Sequence, residues 1–109
     1  SQAALHADGH GFEAHVTEID GVYGNFVIDA QPADFVTAGI RGMTWFQFSA
    51  HGHAYRVRYG RDFDSVKRGE WVAFPSAEGF FWFARNYADA ATTATLKVGD
   101  TVSIHRYDE

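Results

Sequence analysis

Gly69-Glu70-Trp71-Val72-Ala73-Phe74-Pro75-Ser76-Ala77-Glu78-Gly79-Phe80-Phe81-Trp82-Phe83-Ala84-Arg85-Asn86 joins two aromatic-rich runs through a Pro-Ser-Ala-Glu-Gly reversal, and reads as the central hairpin of a β domain. Trp71 and Ala73 alternate with Val72 and Phe74. Phe80 to Ala84 then continues without a polar break, as a strand covered on both faces would. The run stops at Arg85 and Asn86. A cation and an amide at the mouth of an apolar core are groups that a ligand can use, although the same pair also marks where a strand meets water.

Outward from this hairpin, strand patterning recurs. Gly11 to Asp20 alternates Phe12, Ala14 and Val16 with Glu13, His15 and Thr17, the pattern of a half-buried strand. Asp20-Gly21-Val22-Tyr23-Gly24-Asn25 is turn chemistry, and Phe26-Val27-Ile28 resumes the sheet. In Gln31 to Gly39, Pro32 suits a helix start and Gly39 a helix end, which predicts one or two helical turns across one end of the domain. Met43 to Ala50 and His53 to Tyr59 form a second hairpin, with Trp45, Phe46 and Phe48 expected to face Tyr55, Val57 and Tyr59. Arg56, Arg58 and Arg61 are the expected solvent side, and Phe63 in the next loop is a plug over the core or a ligand-facing ring. Tyr87 to Thr95 reads as a short helix or irregular turn, and Thr101 to Tyr107 as the last strand. The expected fold is all-β, an antiparallel barrel of about seven strands with one or two short helical turns. Residues 1–10 lack a period and read as a tail or linker before a domain at 11–109.

Composition narrows the function. Apolar residues make up 46% and charged residues 21% of the 109 residues, so a single globular domain is expected. No apolar run approaches the ~20 residues that a membrane-spanning helix needs, so a water-soluble domain without a membrane partner is expected. Fourteen acids against nine bases give a net charge of −5, which argues against nucleic acid as a partner. With no cysteine there is no disulfide framework or thiolate chemistry, and the compartment stays open. The absence of an initial Met fits a trimmed signal peptide, an expression remnant or a domain cut from a longer chain.

Individual motifs add little. His6 and His10 (i, i+4) and His51 and His53 (i, i+2) have chelating spacings but fall in the expected tail and at a hairpin tip, so no metal site is expected. Ser76 lacks nucleophile-elbow spacing, and no phosphate-loop glycine pattern occurs. Asp20, Asp29, Asp62, Asp64, Glu70 and Glu78 read as solvated surface carboxylates. No catalytic residue is expected in the chain.

Three stretches in order carry a resemblance: Val16-Thr17-Glu18-Ile19-Asp20 with Tyr23-Gly24-Asn25; Gly69-Glu70-Trp71-Val72-Ala73-Phe74 leading to Gly79; and Leu96-Lys97-Val98-Gly99-Asp100. Over about residues 12–107 the chain resembles the C-terminal β-barrel domain of the fluorinase and S-adenosylmethionine hydrolase (hydroxide adenosyltransferase) family. The resemblance implies the second half of a two-domain enzyme, cytoplasmic unless Ser1 follows a removed signal peptide. An N-terminal α/β domain would supply the reacting site, and the barrel of a neighbouring subunit in a homo-oligomer, a trimer by resemblance, would cover the adenine and methionine ends. Carried over to this chain, Asn25 would hydrogen-bond adenine and Arg85, with Asn86 beside it, would frame it. Tyr23 and Phe63 would be apolar walls, and Asp20 would take the substrate's amino group. No cofactor is implied, the ligand being S-adenosylmethionine or adenosine itself. Where fluorinases place Ser-Arg before the hairpin glycine to bind the substrate carboxylate, this chain has Ala77-Glu78. The exchanged charge favours an adenosine-like ligand without the carboxylate. Readings from other classes are a non-catalytic oligomerisation module and a free-standing barrel binding a small ligand or glycan.

Overall fold

The computed structural model describes residues 4–21, 24–62, 67–85 and 94–107. Eight strands and one helix follow the chain as β1(Ala4–Leu5), β2(Gly11–Ile19), β3(Phe26–Ile28), α1(Pro32–Thr37), β4(Trp45–Ala50), β5(His53–Tyr59), β6(Trp71–Pro75), β7(Phe81–Arg85) and β8(Thr101–Arg106). The sheet order is β1-β2-β3-β7-β6-β5-β4-β8, and β2 also pairs with β8, which closes β2 to β8 into a seven-stranded barrel. The first half of β2 pairs with β8 through Gly11 to His15, whereas its second half pairs with β3 through Val16 to Ile19. Ala4–Leu5, within the expected tail, instead lies along Phe12 and Glu13 as a short edge strand.

The ladders are antiparallel except for β5 and β6, which run parallel through Val57↔Trp71, Arg58↔Val72 and Tyr59↔Ala73. The reason is arithmetic. Strand direction cannot alternate all the way round a closed ring with an odd number of members, so one neighbouring pair must point the same way.

Period-two alternation fills the interior. Phe12, Ala14 and Val16 are buried while Glu13 and Thr17 are exposed. Phe26, Phe46, Phe48, Phe81 and Phe83 are fully buried, and Phe35 reaches the same core from α1. Its ring stacks on Phe81 at 4.0 Å and meets Phe12, Phe46 and Tyr59 edge-on. The helix is thus a plug, started by Pro32 and by the Asp34 carboxylate, which accepts the Gln31 N–H at 2.8 Å. It ends at Gly39, whose φ of 78° lets Ile40 N–H return to the Phe35 carbonyl at 2.8 Å.

Two expectations about facing need correction. Trp45 lies opposite Arg58 rather than in the core, and the Arg56 guanidinium sits 3.9 Å from its ring centroid. Period two puts it on the Gln47 face, where a cation shields it. Phe80 precedes β7 and is 37% exposed, but Val72 and Ala84, paired across β6 and β7 on the face away from the core, are buried, so this part of the sheet is covered on both sides. No described helix is long and apolar enough to cross a membrane.

Candidate functional site

At one end of the barrel β2 finishes, β3 begins and β7 finishes. The turn between β2 and β3 is closed by its own backbone: Asp20 N–H donates to the Asn25 carbonyl and Gly24 N–H to the Asp20 carbonyl, each at 2.8 Å. Asp20 and Asn25 are both half-buried and stand at opposite ends of the same short turn. Because Phe26 is the Cα partner of Phe83, continuing the antiparallel ladder brings Asn25 and Gly24 beside Ala84 and Arg85. Arg85 also pairs with Trp71, and its Nε donates to the Gly69 carbonyl at 2.8 Å.

The structure therefore gathers Asp20, Asn25 and Arg85 at one rim, above Trp71 and Phe26, whose rings meet at 6.4 Å. That rim offers a carboxylate for a cationic group, an amide that both donates and accepts, and a guanidinium fixed by a backbone carbonyl. Tyr23, Phe63 and Asn86 lie outside the described residues.

The hairpin tip between β4 and β5 stands at the same end. His51 and Gly52 have φ of 53° and 78°, the paired positive values of a two-residue primed turn, and His51 Nε2 reaches Asp100 Oδ2 at 2.9 Å. The Lys97 N–H, and after it the His51 imidazole, hold the Asp100 carboxyl below its ordinary range. His51 and His53 thus sit exposed where their hairpin meets water, with His51 engaged by a carboxylate.

The Ala77-Glu78 reversal lies at the other end of β6 and β7, since Pro75 pairs with Phe81 there while Trp71 pairs with Arg85 at the rim. Five residues of strand separate the two, about 17 Å. A ligand held by Asn25 must extend that far before Glu78 touches it. A groove of about 860 Å³ opens at this second end, lined by Gly39, Ile40, Arg41, Trp45, Arg56 and Arg106 among others. Its three arginines give it a positive lining in a chain of net charge −5.

Two features escaped the sequence. Asp29, expected on the surface, is 6% exposed and accepts the His15 N–H at 2.7 Å, with His15 Nδ1 at 3.3 Å. It clamps β2 beside the irregularity between Val16 and Glu18, and its partner lies 14 residues away. His6, Asp8 and His105 also converge, although they come from opposite ends of the chain.

Among solved structures, an uncharacterized conserved protein from Thermotoga maritima superposes with a TM-score of 0.87 at 20% identity, over 97% of this chain and 39% of that one. A conserved hypothetical protein from Thermus thermophilus gives 0.61 at 24% identity, over 93% and 37% respectively. The chain thus spans less than two fifths of either structure, and at these identities the likeness is one of fold. A search of the curated proteins finds no match. A family model, that of the SAM hydroxide adenosyltransferase C-terminal domain, matches residues 14–103, which covers every barrel strand except the outer parts of β2 and β8. The chain belongs to the SAM hydroxide adenosyltransferase C-terminal domain family.

Proposed function

We propose that the barrel contributes the nucleoside-binding half of a site that an N-terminal domain completes, for S-adenosylmethionine or an adenosine-like ligand, in a homo-oligomer. The observation that carries this reading is the β3–β7 register, which sets Asn25 beside the end of the strand bearing Arg85. An amide can both donate to and accept from a purine edge, and a guanidinium already held by the Gly69 carbonyl needs little reorganisation to frame a planar ring. Asp20 would take an ammonium group. Tyr23, Phe63 and Asn86 complete the assignment by family resemblance. In this reading Asp20 is engaged by the ammonium group and the reacting site comes from the N-terminal domain, so the barrel alone is expected to bind without reacting.

Calorimetric titration of adenosine and of S-adenosylmethionine into the chain, alone and mixed with an N-terminal domain of the family, tests the reading. Binding that Asn25→Ala weakens about tenfold or more is expected, equivalent to at least about 1.4 kcal/mol. Silence at millimolar ligand in both settings overturns it. A second reading, a non-catalytic assembly or ligand-binding module, is favoured by the arginine-lined groove at the far end. It predicts a homo-oligomer by light scattering without any nucleoside response.

A further inference from the structure

His6, Asp8 and His105 each place one ligand-type atom within 4.8 Å of the other two. The segment before β2 folds back to allow this: His6 N–H donates to the Gly11 carbonyl at 2.8 Å, and Gly9 N–H to the His6 carbonyl at 3.0 Å. Gly11 makes room for the ring, since a Cβ there would lie 2.8 Å from His6 Nδ1 and collide with the Ile104 carbonyl oxygen. The His6 and His105 rings lie roughly parallel with centroids 6.0 Å apart, and His6 Nε2 is 3.2 Å from the Ser103 hydroxyl.

The hydrogen positions on His105 follow from its partners. Nδ1 is 2.8 Å from the Arg106 carbonyl oxygen, which only accepts, so Nδ1 carries a hydrogen. In the neutral ring Nε2 then presents a lone pair, and it lies 3.0 Å from Asp8 Oδ2, another acceptor. Two lone pairs at that separation repel unless a positive centre lies between them, either a second ring proton or a metal ion. A ring whose one N–H is hydrogen bonded to a backbone carbonyl, leaving a lone pair on the other nitrogen, is also how metal-ligating histidines are oriented. The proton alternative is consistent with the Asp8 carboxyl, which the His105 hydrogen bond and the His10 N–H hold at about 2.

We propose that His6, Asp8 and His105 form a binding site for a borderline divalent transition-metal ion of the zinc class, which staples the segment before β2 to the last strand. Two imidazole nitrogens and one carboxylate oxygen suit zinc, nickel, cobalt or copper, whereas magnesium and calcium select oxygen-only sets. The Asp8–His105 separation is already close to the ~3.3 Å edge of a tetrahedron with ~2.0 Å metal–ligand bonds, and rotation of the half-buried His6 ring brings in the third donor. The remaining positions go to water. His10, whose ring lies 6.1 Å from that of His105, stands next to the site.

The test uses the full chain, freed of metal with a chelator, at neutral pH. Titration with zinc chloride followed by calorimetry is expected to give one ion per chain, bound at least about a hundredfold more tightly than magnesium. His105→Gln and Asp8→Asn should each weaken zinc at least about tenfold, while His51→Ala and His53→Ala leave it unchanged. Because Asp8 lies in an exposed turn, Asp8→Asn keeps the test valid even if His105→Gln perturbs folding. Nitrogen-15 spectra of the histidine rings give an independent readout: Nε2 of His105 should move on adding zinc while its Nδ1 stays protonated. Absence of binding up to about 1 mM zinc, affinity unchanged in Asp8→Asn, or affinity abolished by the His51 or His53 substitutions overturns the proposal.

Discussion

The Phe26 ring stacks on the Phe83 ring at 5.1 Å with 14° between their planes, and the two residues are direct Cα partners in the β3–β7 ladder. This pair does two jobs: it fills the centre of the barrel and it fixes the register that sets Asn25 beside the end of β7. Phe83→Ala is expected to cost about 3–5 kcal/mol, a value open to urea denaturation. Phe83→Leu keeps most of the volume and is expected to lose clearly less.

Phe35 is the only residue of α1 in the barrel core, and it touches Phe12, Phe46, Tyr59 and Phe81. A six-residue helix is too short to persist by propensity, so its ordering depends on this ring. Phe35→Ala should destabilise by about 3–5 kcal/mol and expose the amides of α1 to hydrogen exchange before those of β2 and β8. Equal loss of protection in all three elements would contradict the plug.

Asp29 secures β2 to β3 by accepting the part-buried His15 N–H. Asp29→Ala leaves that donor unsatisfied, which should cost about 1–3 kcal/mol in thermal or chemical unfolding. Asp29→Asn retains an acceptor and should cost less.

Burial among aromatic rings raises the Tyr59 hydroxyl above its ordinary value of 10.0. The folded chain therefore keeps this proton more tightly than the unfolded chain. The resulting stability is complete below pH 10 and is lost as pH climbs through the higher folded-state value. Tyr59→Phe keeps the ring and should flatten the alkaline arm of the stability profile, as measured by melting temperature between about pH 9 and 11.

Much of the barrel was legible because burial in a strand obeys a two-residue period, which places Phe12, Ala14 and Val16 inside without any knowledge of partners. The same rule applied to Trp45 gives the outer face, and the misreading came from weighing its ring above its position. Asp29 and the cluster of His6, Asp8 and His105 were not legible, because their meaning depends on residues 14 and 97 positions away. Arg85 stood out at the end of its apolar run, whereas Asp20 and Asn25 were reached through resemblance: nothing local in the three says that they share an end of the barrel, and the register between β3 and β7 supplies that.

Where β5 and β6 run side by side, the barrel has a seam held by three Cα pairs. Residue 69, whose carbonyl grips Arg85, sits just before β6, so the cation is moored to the strand bordering that seam. A displacement of Gly69 along that border would carry the guanidinium with it. The one parallel ladder among the described strands is thus linked, through a single backbone carbonyl, to the guanidinium of the proposed rim.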